Sequence, residues 1–439
     1  MKNESPAEPR GLALIPFVVF AVFYAGLSVF HRVPMTIAFL VASATTLIMN
    51  RRRPLSDKVE TYAQGMGETN VMIMCLIFIL AGAFATIAKE SGAVNAAVIL
   101  ARSIIPARLM LAGVFLISCL ISLAIGTSCG TIAAVAPVAL GFVGPLGPSP
   151  ASLLGAVVGG AMFGDNLSMI SDTTVAATRT QGIRMRDKFI ANAGIAVPAA
   201  LVALFIYAAG GVSGATAGVS APSPTWQHGL LVLPYLLILV LALCGLNVML
   251  LLFFGTALAA VIGIALGRFS LLGAIDHLGR GTLGMSETLI VAILAGGLFK
   301  TIQSNGGIEW LTRKISKVVS GPRTCEFGVF LLVAAVNLFT ANNTVAIVIA
   351  GPIARTCADR FRADPARIAS VLDTSSCIVQ GLIPYGAQLL IAIGIAQTAK
   401  LSVCSFELIG SLYYQHLLLL AVLAAMVVAR RRDDVTPRA

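Results

Sequence analysis

Gly164-Asp165-Asn166-Leu167-Ser168-Met169-Ile170-Ser171-Asp172-Thr173-Thr174 closes an apolar run, residues 151–163, that holds nothing more polar than Ser152. Two carboxylates, an amide and five hydroxyls follow before the next arginine, Arg179. On a continuous helix Asp165, Ser168 and Asp172 stand at i, i+3 and i+7 and share one face. An ionised side chain at membrane depth costs at least ~2.5–3.5 kcal/mol on insertion scales, so such groups face a cavity or a partner. Oxygen-rich clusters suit hard cations such as Na+, and a carboxylate can take a proton instead. In the plainer reading Asp172 caps a following helix and Asp165 lies in a wet loop. The functional reading is an ion site.

The surroundings make membrane depth the right setting. Of 439 residues, 58% are hydrophobic and 11% charged, with a mean hydropathy of +0.93. A soluble chain of this length needs far more polar surface. The apolar runs are continuous rather than alternating, which excludes a β-barrel and leaves an all-α polytopic membrane protein. The net charge is +11, from 30 Lys+Arg against 19 Asp+Glu. Its surplus lies in short clusters beside apolar runs, at 51–53, 184–188, 313–317, 355–367 and 430–432. That is the positive-inside pattern rather than a nucleic-acid patch, and it places both termini in the cytoplasm of a plasma membrane protein. The eight cysteines form no C-x-x-C and read as small buried hydrophobes. His31, His228, His277 and His416 form no local metal motif.

Spanning segments are expected at 12–30, 33–49, 71–88, 109–125 and 188–209, and as two helices within 230–266. Further segments fall at 288–302, 327–339, 345–354, 368–383, 389–399 and 406–428. The run at 12–30 exceeds a signal-peptide core, and a second span follows it directly. Residues 54–69 and 270–286 are amphipathic and lie along the interface, whereas 132–142 and 151–163 are shorter than the ~20 residues a span needs. Breaker-rich residues 144–150 separate those two, and a Gly/Ser/Pro-rich linker occupies 210–224. In all, roughly 10–12 transmembrane segments are expected, several of them broken.

The second half echoes the first. Gly82 pairs with Gly296 and Gly92 with Gly306, at the same offset along the chain. Thr127 pairs with Thr340 at an offset one shorter, and Pro137 with Pro352 and Pro150-Ala151 with Pro365-Ala366 at an offset one longer. The chain therefore divides into N-terminal helices (1–60), a first transport repeat (61–182), linker helices (183–280), a second transport repeat (281–400), and a C-terminal helix with a basic tail (401–439). Long repeats with Gly/Pro-interrupted segments at matching places are the signature of secondary transporters, and by analogy the repeats are expected to be inverted. A helix broken at mid-membrane must line a polar cavity, and its free ends become ligands for ions and charged solutes. The paired breaks are 126–131 with 340–344, and 164–174 with 380–388; in the second pair only the first copy carries carboxylates.

Other polar residues read more simply. Glu68 and Glu287 are interfacial, Asp276 and His277 face water, Lys89-Glu90 is a local pair, and Arg179 is an anchor. Asn337, an amide in an apolar helix, needs a partner. No G-x-x-x-x-G-K-[ST] is present, which disfavours an ATP-driven pump. Neither a selectivity-filter sequence nor a Ser/His or His-rich catalytic constellation is evident. The chain is not expected to be an enzyme or to hold a cofactor beyond transported ions.

Gly164-Asp165-Asn166-Leu167-Ser168-x-x-Ser171-Asp172-Thr173-Thr174, following Gly126-Thr127-Ser128, resembles the NhaC-type sodium/proton antiporter family of the ion-transporter superfamily. The similarity extends over roughly residues 60–399, and the chain departs from it where members often read Gly-Asp-Lys in place of Gly164-Asp165-Asn166. The resemblance implies exchange of Na+ for H+, with some relatives moving amino acids or organic acids. It also implies a homodimer with a scaffold part and a moving part, and a re-entrant hairpin in each repeat. On this reading Asp165 and Asp172 carry Na+ and H+ at a shared site, helped by Asn166, Ser168, Thr173, Thr127 and Ser128. Asp373 is a third candidate carboxylate, and Asn342 and Asn343 are candidate ligands at the uncharged break. The alternative is an Na+- or H+-coupled carrier of an amino acid or small organic acid.

Overall fold

In hydrocarbon only a helix satisfies its own backbone, and the apolar runs fold accordingly. The computed structural model describes residues 10–30, 34–49, 53–143, 147–210, 225–317 and 319–433, with helices and no strand among them. The polar N-terminus, residues 31–33 with His31, and residues 50–52 with Arg51 and Arg52 lie outside the described residues. So do the core of the breaker turn at 144–146, nearly all of the linker, Val318 and the end of the basic tail.

The first half contains α1 (Ile15–Phe30), α2 (Met35–Ile48), α3 (Leu55–Met66), α4 (Thr69–Ser91) and α5 (Ala93–Ile104). It continues with α6 (Met110–Ile125), α7 (Ser128–Leu140), α8 (Pro150–Leu167), α9 (Asp172–Gln181) and α10 (Met185–Ala209). The second half opens with α11 (Trp226–Leu243), α12 (Val248–Ala265), α13 (Leu271–Leu283), α14 (Ser286–Ser304) and α15 (Gly307–Ser316). Then come α16 (Pro322–Thr340), α17 (Asn343–Phe361), α18 (Pro365–Leu382), α19 (Ala387–Thr398), α20 (Ser405–Gly410) and α21 (Tyr413–Asp433). Six helical stretches among the described residues are long and apolar enough to cross a bilayer, beside eight shorter apolar helices. The chain is a multi-pass membrane protein.

Helices α3–α9 recur in order as α13–α19. Both α8 and α18 run 18 residues from a proline at the first helical position, Pro150 in one and Pro365 in the other. Each follows a capping side chain: Ser149 accepts from the Ser152 N–H at 3.1 Å, and Asp364 from the Ala366 N–H at 3.0 Å. Helix α6 stops at left-handed Gly126 (φ +73°) and the chain restarts through extended Thr127; α16 stops at left-handed Ala341 (φ +47°) and restarts through extended Asn342. The structural partner of Thr127 is therefore Asn342, a little beyond the Thr340 that sequence matching selects.

One expectation fails here. Residues 164–174 are not one helix: α8 ends at Leu167 and α9 begins at Asp172. Asp165, Ser168 and Asp172 thus do not share a face, because the non-helical residues 168–171 reset the direction between them.

The repeats exchange contacts. A Cβ on Gly82 (α4) would strike the Gly281 carbonyl of α13, and one on Gly281 would strike the Gly82 carbonyl. Gly296 (α14) and Gly65 (α3) meet in the same reciprocal way. Helix α9 packs on α17 while α19 packs on α7. Such an exchange of partners is what a twofold relation between copies requires. The stretches containing α8–α9 and α18–α19 are the most enclosed: 83% and 78% of their most apolar windows are buried, against 50% or less in the other four.

Candidate functional site

Small residues bring α8 against α6. A Cβ on Gly160 would meet Ser118 Cβ at 2.7 Å, and one on Gly164 would meet Ser122 Cβ at 2.5 Å. This small-xxx-small approach leaves no room for a larger side chain. It delivers Asp165, the next residue, to the point where α7 begins. The Asp165 carboxylate, 5% exposed, accepts from Ser128 Oγ at 2.7 Å and Ser128 N at 3.3 Å. It also accepts from Ser171 Oγ at 2.5 Å. Ser128 is the first residue of α7 and Ser171 the N-cap of α9, so the carboxylate lies between two helix N-termini. The Ser128 N–H and the two hydroxyls fix its orientation, and both helix dipoles present their positive ends to it.

A second buried charge cluster adjoins it. Lys188 (α10), 1% exposed, forms an ion pair with Asp373 (α18), which is fully buried. The lysine amine also donates to the Asn166 carbonyl at 2.6 Å and to Thr174 Oγ1 at 2.7 Å, so its three protons are used. Asn192, one turn along α10, donates to Asn166 Oδ1 at 2.8 Å and to the Asn166 carbonyl at 3.0 Å. Lys188 and Asn192 thereby close the C-terminal end of α8, where carbonyls lack intrahelical partners.

Asp165, Lys188 and Asp373 are the only buried carboxylate or cationic side chains among the described residues. When all three are ionised, Lys188 neutralises Asp373 and one negative charge remains on Asp165. No described cationic side chain is ion-paired to it.

The remaining sequence-derived candidates fall into three places. Thr173 Oγ1 lies 2.9 Å from Ser171 Oγ, one bond removed from Asp165, and half-buried Thr127 is the linking residue of the α6–α7 break. Ser168 Oγ donates instead to the Leu123 carbonyl at 3.1 Å, capping the end of α6. Asp172 is exposed at the first turn of α9, where Ser171 provides the cap, so the structure does not bring the two carboxylates of the motif together. Asn342 Oδ1 accepts from the Val345 N–H at 3.0 Å and Asn343 Oδ1 from the Thr344 N–H at 3.1 Å, so both oxygens serve the backbone of α17.

Sequence reasoning missed Lys188, Asn192, Gln380 and Gln388. Gln388 donates to Ser128 Oγ at 2.9 Å, and Gln380 donates to Gln388 Oε1 at 3.1 Å and to the Ala341 carbonyl at 2.9 Å. These bonds tie the break of one repeat to the break of the other. In sequence Lys188 reads as part of the basic cluster at 184–188, but a signal is present. The buried face of α10 is Lys188, Asn192, Ala196, Ala199, Ala200, Ala203 and Tyr207, which puts the lysine on the packed stripe.

Comparison with known proteins decides the family. The model of the Na+/H+ antiporter family matches residues 10–212 and 223–425. The chain belongs to the Na+/H+ antiporter family. The second matched stretch is displaced from the first by the spacing of the Thr127–Thr340 pair. The chain is 22% identical over 424 residues to the malate-2H+/Na+-lactate antiporter of Bacillus subtilis (strain 168), covering 90% of each chain. It is 25% identical over 358 residues to the Na+/H+ antiporter NhaC of the same organism, covering 73% of this chain and 76% of the relative. Among solved structures, the YdaH transporter of Alcanivorax borkumensis aligns over 94% of this chain and 98% of that one, with 17% identity and a TM-score of 0.42. Membership makes the chain a transporter rather than an enzyme, in a family whose transported ions are Na+ and H+. The lysine amine that reaches the Asn166 carbonyl comes from α10.

Proposed function

We propose that the chain exchanges Na+ for H+ across a plasma membrane, with Asp165 as the shared carrier. The supporting observation is the charge balance: Asp165 is the buried carboxylate whose charge no neighbouring cation offsets. A lone ionised carboxylate at this depth is costly, so it holds either a proton or a cation at each stage. Na+ and H+ cannot both occupy it, and that exclusion couples their movements. Ser128 and Ser171 orient the carboxylate, and Lys188 keeps Asp373 out of the exchange by neutralising it. The working unit is a homodimer with both termini cytoplasmic and inverted repeats that alternate access around the fixed site.

A second reading, Na+- or H+-coupled carriage of a small organic acid, is favoured by the name of the malate/lactate relative and by buried Lys188, a cation suited to a carboxylate once Asp373 is protonated. The purified chain in proteoliposomes containing a pH dye separates the two. Na+ pulses alone should move protons, with no added requirement for lactate, malate or amino acids. Proton movement that appears only when an organic acid is present would replace the first reading with the second.

A further inference from the structure

Asp165 and Gln380 are separated by the same spacing as Pro150 and Pro365, and they hold the same place in α8 and α18, just short of the helix end. The neighbouring interhelical bond is repeated too. Ser122 Oγ donates to the Ala161 carbonyl at 2.5 Å, and Asn337 Nδ2, its counterpart in the second repeat, donates to the Ser376 carbonyl at 2.8 Å. The second repeat thus carries an uncharged version of the Asp165 position.

Two atoms there are left over. Asn337 Oδ1 and Gln380 Oε1 are buried and have no hydrogen-bond donor. Both amides have fixed orientations, because their nitrogens donate to oxygen acceptors: Ser376 O for Asn337, Ala341 O and Gln388 Oε1 for Gln380. A flip would set oxygen against oxygen. The two bonds are adjacent rungs of one α16–α18 seam, one turn apart on each helix. The seam lies at the C-terminal end of α16, where the helix presents partial negative charge. Unpaired buried acceptors are costly, so the place calls for a water or a cation. A cavity of about 270 Å³ reaches the same break, lined by Glu68, Asn70, Gln303, Thr340 and Asn342.

We propose that this seam is a second cation site, in which Asn337 Oδ1 and Gln380 Oε1 take one Na+ without releasing a proton. The proposal rests on the reading of the chain as a Na+ carrier. The Gln380–Gln388–Ser128–Asp165 hydrogen bonds connect the neutral site to the charged one, so occupancy of either bears on the other.

The test is equilibrium dialysis of the detergent-purified chain against radioactive Na+, at alkaline and acid pH, with melting curves to confirm folding. Wild type should bind about two Na+ at alkaline pH and about one at acid pH, since only the carboxylate site competes with protons. Asp165→Asn should bind about one at both pH values, and Gln380→Leu should keep only the pH-sensitive ion. Gln380→Glu should tighten the second site and make it pH-sensitive. If Gln380→Leu does not fold, the Asp165→Asn arm decides alone. Wild type binding about one Na+, with none left in Asp165→Asn, would overturn the second site, assign the seam to a buried water and leave the exchange at Asp165 standing. No Na+ bound by wild type at either pH would overturn both.

Discussion

At the scale of single residues, the two carboxylates of the Gly-Asp…Ser-Asp motif have opposite environments. Asp165 is enclosed between α7 and α9, and Asp172 is exposed. Asp165→Asn should abolish Na+-driven proton flux in proteoliposomes, because an amide exchanges no proton and is a weaker cation ligand. Asp172→Asn should keep most of that flux and leave melting within ~0.5 kcal/mol of wild type, as surface substitutions do. Equal loss in both would return Asp172 to the site. The Lys188–Asp373 pair makes a different forecast. Lys188→Met strands a buried carboxylate and should cost about 3–5 kcal/mol of stability, whereas adding Asp373→Leu should recover much of it. Melting of the two single variants and the double closes that cycle; no recovery would mean that the Lys188 bonds to Asn166 and Thr174 dominate. The polar composition of residues 164–174 was legible as a site from charge in an apolar setting. The identity of its neighbours was not, since Lys188 and Gln388 reach it from helices set by packing, and a lysine beside Arg184 and Arg186 reads as an anchor until the face it occupies is known.

At the scale of elements, the site exists because helices stop inside the protein, and each stop has a local cause. Gly126 adopts a left-handed conformation at the end of α6, and a Cβ there would meet Ile170 Cγ1 at 2.7 Å. In the second repeat the same conformation falls on Ala341, whose Cβ makes it costly by roughly 1–2 kcal/mol. Tyr385 helps hold that strain: its hydroxyl donates to the Leu338 carbonyl at 2.6 Å, and its ring packs edge-on to Phe17, Phe20 and Phe39. Ala341→Gly should therefore raise stability by up to ~1 kcal/mol, while Gly126→Ala should lower it by more than that. Melting of the two variants side by side checks the pair, and destabilisation by Ala341→Gly would show that α17 depends on something other than the left-handed turn. The amphipathic α3 and α13, the shortened segments and both breaks were legible from hydropathy and Gly/Pro placement. The end of α8 was not. Leu167 and Ser168 carry no breaker, and the helix stops because Ser168 finds the open carbonyl of Leu123 on another helix.

At the scale of the whole molecule, duplication supplies the geometry and divergence supplies the chemistry. The reciprocal meetings of Gly82 with Gly281 and Gly65 with Gly296 lock the halves together. The repeat was readable from the nearly constant spacing of its matched glycines, threonines and prolines, but which helix of one half packs on which of the other was not, because glycine pairs carry no partner code. Within that frame the two copies of one position differ by a charge, Asp165 against Gln380. A single uncompensated carboxylate makes a definite demand on pH dependence. Acidification protonates Asp165 and removes the cation's strongest ligand, so apparent Na+ affinity must fall as pH falls. With one proton displaced per Na+, the fall should be about tenfold per pH unit on the acid side and should level off on the alkaline side. The titratable groups near Asp165 are Asp373 and Lys188, already paired, and the thiols of Cys129 and Cys377, which shape the midpoint without adding a second exchanged proton. The measurement is the Na+ concentration giving half-maximal proton flux, taken at a series of equal internal and external pH values. A slope near two decades per unit would mean that a second proton, held by the Lys188–Asp373 pair, leaves to solvent in the same step, and Lys188→Met with Asp373→Leu should then restore the slope to one. An affinity flat with pH would separate the Na+ site from the proton site and remove Asp165 from the shared role.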